Sequence, residues 1–413
     1  MKQALKYILV LISIVSFTDL LLAQPNNWVK KNSFDGTKRE RNVGITIGGH
    51  AYAGFGHDSG TVVLNDWWEY DPGSDSWTQK ASLPGSGRRD AVGFSIGTKG
   101  YVGTGDNSNN AQFGVPLPDF WEYNAVTNTW SVKAAYPGGF SGGVYYATGF
   151  AINGKGYICG GKQGPSNYLN ELWEYNPAVN NWTNKAPFPG GPRYGLSSFV
   201  CGNLAYVGLG VDYNVLRRDF WKYNPALNQW TQANNFPGSP RYSASGFGIG
   251  QDGFIVFGTD GGYKAELWEY SSTYNFWLQR CDVPAEPRRS GIAFTLGGKG
   301  YAGTGLSLLG SKRDMYEYTP LPPLGLNDLE LTQVDLKLFP NPMINSSELQ
   351  IESQRSLGDI TLKIFDVSGK LSRSEKIIGN SITIERLDLN SGIYFISIVN
   401  EKEILGSTKL FIQ

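Results

Sequence analysis

The chain has 413 residues and a formal net charge of zero, with 17% of its residues charged. That balance leaves no basic footprint for nucleic acid, and the length allows two or three domains with cores of their own. Gly (53), Tyr (23) and Trp (12) are heavily used and helix-period apolar stripes are scarce, which predicts an all-β protein of twisted strands and tight turns.

Residues 1–24 carry Lys2 and Lys6, then an apolar run, then the small Ala23. This reads as a secretory signal peptide cut after Ala23 or Gln24, leaving no membrane span in the mature chain. The rival reading, an uncleaved anchor, fits less well because Thr18 and Asp19 break the run. Cys159, Cys201 and Cys281 cannot all pair and have no metal-site spacing. Each lies in or beside a predicted strand and is expected to be a buried thiol, with a Cys159–Cys201 bridge as the alternative.

Residues 25–320 repeat themselves. "WWEYDPGSDSW" (67–77) returns as "FWEYNAVTNTW" (120–130), "LWEYNPAVNNW" (172–182), "FWKYNPALNQW" (220–230) and "LWEYSSTYNFW" (267–277). A lone "NNW" at 26–28 and a lone "DMYEYTP" at 314–320 are the halves of a sixth copy. The Tyr of each copy falls at 70, 123, 175, 223, 270 and 318, and a word such as "TKGYVGTG" or "GKGYICGG" precedes each. A period near 50 with four short strands per unit predicts a propeller, its last blade closed by the outer strand 27–34. Seven residues before each repeat aromatic stand Ile45, Phe94, Phe150, Phe199, Phe247 and Phe294, expected in the core of the innermost strands. The diglycine, Tyr and downstream Trp of each unit resemble kelch repeats. The resemblance covers 27–320 and implies a six-bladed kelch-type β-propeller, although only Gly160-Gly161 is a true diglycine.

"TPLPPLGLNDLELTQ" (319–333) is Pro-rich, and 321–333 is expected to be an extended linker. In 334–413 Trp disappears and alternating segments at 334–339, 360–367, 381–387 and 392–399 predict a small immunoglobulin-like β-sandwich. "LFPNP", "IFDVSGK", "LNSGIYFISI" and the terminal "KLFIQ" together resemble the C-terminal sorting domain of type IX secretion cargo. The resemblance implies the type IX machinery as a partner and export to the medium or outer surface of a Gram-negative, Bacteroidota-type cell.

Counting strands puts the long loops 55–66, 105–119, 161–171, 210–219 and 305–314 on one face, the expected binding face. Arg39, Arg88, Arg193, Arg241 and Arg288 recur once per blade, as do Asp66, Asp119, Glu171, Asp219, Glu266 and Asp314; they are expected to pair structurally. A ligand site breaks symmetry instead. Two adjacent columns do so, Arg41, Asp90 and Tyr146 in one, and Glu40, Arg89, Tyr145, Tyr194, Tyr242 and Arg289 in the other. These nine form the candidate binding site at the channel mouth, for an unidentified glycan or protein. Arg41, Asp90 and Tyr146 are expected to be surface positions whose replacement shifts stability by about half a kcal/mol.

His50 and His57 fall on opposite faces, so no metal site, cofactor or catalytic residue is assigned. The enzyme reading that survives resembles six-bladed kelch sialic-acid mutarotases, with Asp90, Glu40 and Arg41 or Arg89 as the acid–base groups; only fold analogy supports it.

Overall fold

In the computed structural model, the described residues are 27–413 without 59–61, 109–114, 141, 274, 321–333, 354–356, 358, 367–370 and 401–403. The signal-peptide and linker readings, 1–24 and 321–333, lie outside them. Every regular element among the described residues is a strand. The chain divides into two compact units, one of them Asn26–Pro320.

That unit holds six four-stranded antiparallel sheets. The first runs outward through Val43–Ile47, His50–Gly54, Trp67–Asp71 and Ser76–Lys80. The inner strands adjoin one another in chain order, and the last, Ile292–Leu296, adjoins Val43–Ile47 to close the ring. The sixth sheet takes its outer strand, Asn27–Lys31, from the start of the unit and pairs it with Met315–Thr319 from the end.

Why these words recur is now physical. The inner-strand Phe faces the aromatic of the next strand in register, as in Phe150 opposite Tyr157, with rings stacked 5.2 Å apart. A glycine in the following blade makes room for it: a Cβ on Gly156 would sit 2.1 Å from the Phe94 ring. The Glu of "WEY" accepts from that inner Tyr, as in Tyr157 Oη to Glu174 at 2.6 Å. The Tyr of "WEY" donates to the turn Asn, as Tyr175 does to Asn180 at 2.8 Å. Asn180 in turn accepts from Ala134 N of the preceding blade (2.9 Å), and the Trp182 indole donates to the Ala134 carbonyl (2.9 Å). Each outer hairpin is thus a clip on the blade before it.

The once-per-blade ion pairs are present. Arg39, fully buried, binds Asp66 through two hydrogen bonds of 2.6 and 2.7 Å. Arg88–Asp119, Arg193–Asp219 and Arg288–Asp314 repeat it, and Arg241 binds Glu266 through a single bond. Such bidentate, desolvated pairs tie loop to strand. Blade three has Val144 in place of the Arg, and Glu171 there accepts from Gly139 N instead, keeping the indole bond, here from Trp173, that four other blades also make.

The second unit contains two sheets. One has the order Asp335–Phe339, Ser346–Glu352, Ser381–Glu385; the other Leu371–Ile377, Ile360–Asp366, Gly392–Val399, Ile404–Ile412. Leu349, Ile351, Leu362, Ile364, Ile384, Ile396, Ile398 and Leu410 share one buried core. The strands at 346–352, 371–377 and 404–412 add to the four expected. Ser346–Glu352 alternates buried and exposed residues, and Leu371–Ile377 is mostly polar, so neither carries a strong apolar signal.

Two of the three thiols behave as expected. Cys159 and Cys201 are buried and unbridged, and burial pushes each thiol up to about 12. Cys281 is exposed, contrary to the expectation, because it follows the outer strand of its blade rather than lying within the sheet.

Candidate functional site

Each chain segment entering an inner strand passes through one left-handed residue. Arg41 (φ 58°), Asp90 (52°), Tyr146 (57°), Gly195 (67°), Ser243 (54°) and Ser290 (54°) form this column. Their peptides make a closed relay: the N–H of each donates to the carbonyl of the one before, and Arg41 N donates to Ser290 O at 2.8 Å. The bonds span 2.8–3.2 Å. Five non-glycine residues are held where L side chains lose roughly 1–2 kcal/mol each, and strain of this kind collects at functional positions. The side chains of this ring line a cavity of about 130 Å³ on the channel axis, together with Asn42, Ala91, Ala147 and their counterparts.

A second tier surrounds it. Glu40, Arg89, Tyr145, Tyr194 and Arg289 form bridges with His57, Asp106, Lys162, Val211 and Leu306, and Tyr242 is the register partner of Thr259. Backbone pairing puts the side chains together. Glu40 is 3.1 Å from His57 Nε2, and Arg89 Nε is 3.0 Å from Asp106. In the inner ring Arg41 Nη1 donates to Asp90 at 3.3 Å, and its guanidinium lies 5.0 Å from the Tyr146 ring centre. Arg289 Nη1 donates to Tyr242 Oη at 2.9 Å.

The mouth is therefore divided. Blades six, one and two supply Arg289, Glu40, Arg41, His57, Asp90, Arg89 and Asp106. Blades three to five supply linked tyrosine rings: Tyr145–Tyr146 (6.1 Å), Tyr146–Tyr194 (5.6 Å), Tyr194–Tyr242 (6.0 Å) and Tyr168–Tyr194 (5.2 Å). Burial pushes the Asp90 carboxyl up to about 6, against the pull of Arg41 and Arg89, with Glu40 and Asp106 adding to the rise. Burial raises Glu40 too, but the His57 hydrogen bond and the nearby Arg41 charge outweigh it and leave Glu40 below its ordinary value. Two neighbouring carboxyls are driven in opposite directions.

Several buried polar atoms facing this region have no hydrogen-bond partner: Asn42 Nδ2, Ser243 Oγ, Ser290 Oγ and Arg289 Nε, while Arg41 Nε and Glu40 Oε2 form an ion pair with each other at 3.7 Å. The first four are donors or hydroxyls. Buried donors without acceptors cost about 1–3 kcal/mol each unless water or a ligand satisfies them.

All nine sequence-derived residues converge on this mouth, and Arg41, Asp90 and Tyr146 line its cavity. Their exposure differs from expectation. Glu40, Arg89, Asp90 and Tyr145 are 3%, 4%, 9% and 4% exposed, so they are packed positions rather than free surface. The neighbouring blades crowd the channel, and the surface-level stability estimate does not apply at Asp90. Sequence reading missed Lys162, Asp106 and the site role of His57. Each immediately follows the glycine that ends its blade's second repeat word (Gly161, Gly105 and Gly56), a column that varies as much as the two that were found.

Residues 337–413 match the family described as secretion system C-terminal sorting domain, and residues 143–189 match the kelch motif. An 86-residue segment is 34% identical to Kelch-like protein 21 of Danio rerio; it makes up 21% of this chain and 13% of that protein. A solved structure, "Structure of YjhT", shares 16% identity at a TM-score of 0.58, over 70% of this chain and 96% of its own. That likeness is one of fold. Among the described residues no helix is long and apolar enough to cross a membrane.

Proposed function

For a kelch-type propeller that carries a type IX secretion sorting tail, we propose the role of an exported recognition module that binds an acidic glycan at the channel mouth. The sorting tail implies interaction with the type IX machinery and export to the surface or medium. The proposed site is the long-loop face, where Arg41, Asp90 and Tyr146 meet.

The observation that carries this reading is the set of orphaned donors around the 130 Å³ cavity, opposite a tyrosine wall. Donors without acceptors suit a carboxylate or an array of hydroxyls, and aromatic faces suit the apolar side of a sugar ring. The test is a glycan array with the mature protein: retention of acidic glycans supports the reading, and a blank array together with capture of unglycosylated protein sinks it.

A second reading has its own observation. Asp90 and Glu40 sit beside one another with proton affinities driven apart, the arrangement by which one carboxyl acts as acid and its neighbour as base. Sugar-anomer NMR separates the two: binding without faster exchange supports the module, and accelerated exchange supports the enzyme.

A further inference from the structure

Lys162 follows the diglycine of blade three and is the bridge partner of Tyr145. Its Nζ lies 4.4 Å from the Tyr194 ring centre, 5.3 Å from that of Tyr145 and 5.6 Å from that of Tyr146. The arginines of the mouth are tied to oxygen: Arg41 to Asp90, Arg89 to Asp106, and Arg289 to the Tyr242 hydroxyl. Lys162 is not. Among the described residues its Nζ has no carboxylate or hydrogen-bond partner and meets ring faces alone. π-faces hold an ammonium less firmly than a carboxylate does, and they leave the nitrogen free to lose its proton. Burial, the largest influence, lowers its proton affinity; Arg41 and Arg89 act the same way, while Asp90 and Asp106 oppose them.

The geometry points to Lys162 as an imine-forming amine for a carbonyl ligand, the open-chain aldehyde of a reducing sugar being the class that suits this mouth. The inference rests on the mouth being a sugar site. The uncharged Nζ donates its lone pair to the carbonyl carbon, forming a C–N bond, and the carbonyl oxygen takes up a proton. Nitrogen loses a proton, giving a neutral carbinolamine. That hydroxyl is protonated and leaves as water, and nitrogen loses its remaining proton, giving the imine. Amine and aldehyde thus yield imine and water, with no oxidant or reductant. Hydrolysis returns the open-chain sugar, which recloses to either anomer. Asp90, with a carboxyl near 6, is suited to exchange the protons.

The experiment treats the full mature chain with glycolaldehyde and sodium cyanoborohydride, and maps modified lysines by mass spectrometry across pH 6–9. Lys162 is expected to label faster than the exposed Lys30 and Lys38, by about tenfold for each unit its pKa lies below the ordinary lysine value. Its rate is expected to reach half-maximum at lower pH. Lys162→Arg is expected to lose that label while keeping the parent's melting temperature. Labelling of Lys162 no faster than Lys30 overturns the inference, and it is read on the parent protein, so a variant that fails to fold does not obscure it. An unreactive Lys162 with intact glycan binding sinks this inference alone. A reactive Lys162 with no glycan bound removes the sugar as its ligand and leaves the amine.

Discussion

Trp28 stands opposite Tyr318 across an antiparallel pair, their rings 5.0 Å apart, though they come from the two ends of the propeller chain. Its indole donates to the Cys281 carbonyl at 3.0 Å, the bond that Trp182 makes to Ala134 and Trp230 to Ala186. The joint differs from the others in one respect. No turn Asn follows Tyr318, so its hydroxyl has no partner.

Trp28→Ala removes both the ring contact and the bond to the preceding blade. Its expected cost is about 3 kcal/mol, at the low end for large aromatic truncations because Trp28 is only half-buried. Urea unfolding of the parent and variant checks this. Deletion of 25–34 that leaves the midpoint unchanged contradicts closure by this strand.

The cleft of about 580 Å³ lined by Val283, Glu286, Lys312 and Tyr316 marks a second departure from the repeat. Where Val283 and Leu83 stand, the other four blades place Phe34, Tyr136, Phe188 or Phe236 edge-on to a Trp, as Phe236 packs on Trp277 at 5.2 Å. Phe257 and Phe55 take up the aromatic place in these two blades, and the Arg288 guanidinium lies over Phe257 as that of Arg241 lies over Phe236. Val283, itself buried, has no room for a second ring, so Val283→Phe is expected to overpack and destabilise by about 1–3 kcal/mol. A raised melting temperature contradicts this.

Asp90 titrates higher in the folded protein, near 6, than its ordinary 3.8. The folded state therefore holds this proton more tightly, and stability from this group is present below pH 3.8 and lost as pH rises toward 6. The lost increment is on the order of 3 kcal/mol for a shift of about two units. Glu40, shifted downward, works in the opposite sense, so the quantity to measure is the difference between the parent and Asp90→Asn. That difference is expected to move in favour of the variant between pH 4 and 6 and stay flat above; a flat difference throughout contradicts the raised carboxyl.

Removal of 334–413 is expected to leave the propeller folded, because the two units have separate cores. The truncated chain is expected to stay in the periplasm of its native host. Fractionation checks this, and normal display or release contradicts the role of the tail.

Much of the fold was legible because a propeller writes its hydrogen bonds into its repeats. Trp182, Tyr175 and Asn180 recur since each blade needs the same clip. The broken diglycines were harder to read, and the backbone explains them. The first position has φ near 60°, which Thr104, Leu209 and Thr304 adopt. The second reaches 86° at Gly105, where a Cβ would meet the Arg89 carbonyl at 2.7 Å. Only the second glycine is obligatory. Arg41, Asp90 and Tyr146 were legible as a column where the repeats disagree. Their burial was not, because crowding at the axis depends on six blades at once. Lys162 escaped notice since its role arises from tyrosines on two other segments, Tyr145–Tyr146 and Tyr194.

The central claim is that the ligand sits at the mouth, among Arg41, Asp90 and Tyr146. These side chains are packed, so Arg41→Gln, Asp90→Asn and Tyr146→Phe are the fitting changes, each with its melting temperature recorded. The most direct measurement is titration calorimetry of an array-identified acidic glycan against these variants and against Lys155→Ala on the opposite, short-turn face. The account predicts that Arg41→Gln weakens binding by about tenfold or more, the scale of a lost charge-assisted pair, while Lys155→Ala binds as the parent does. Parent-like affinity in all three mouth variants, with binding abolished by Lys155→Ala, contradicts it.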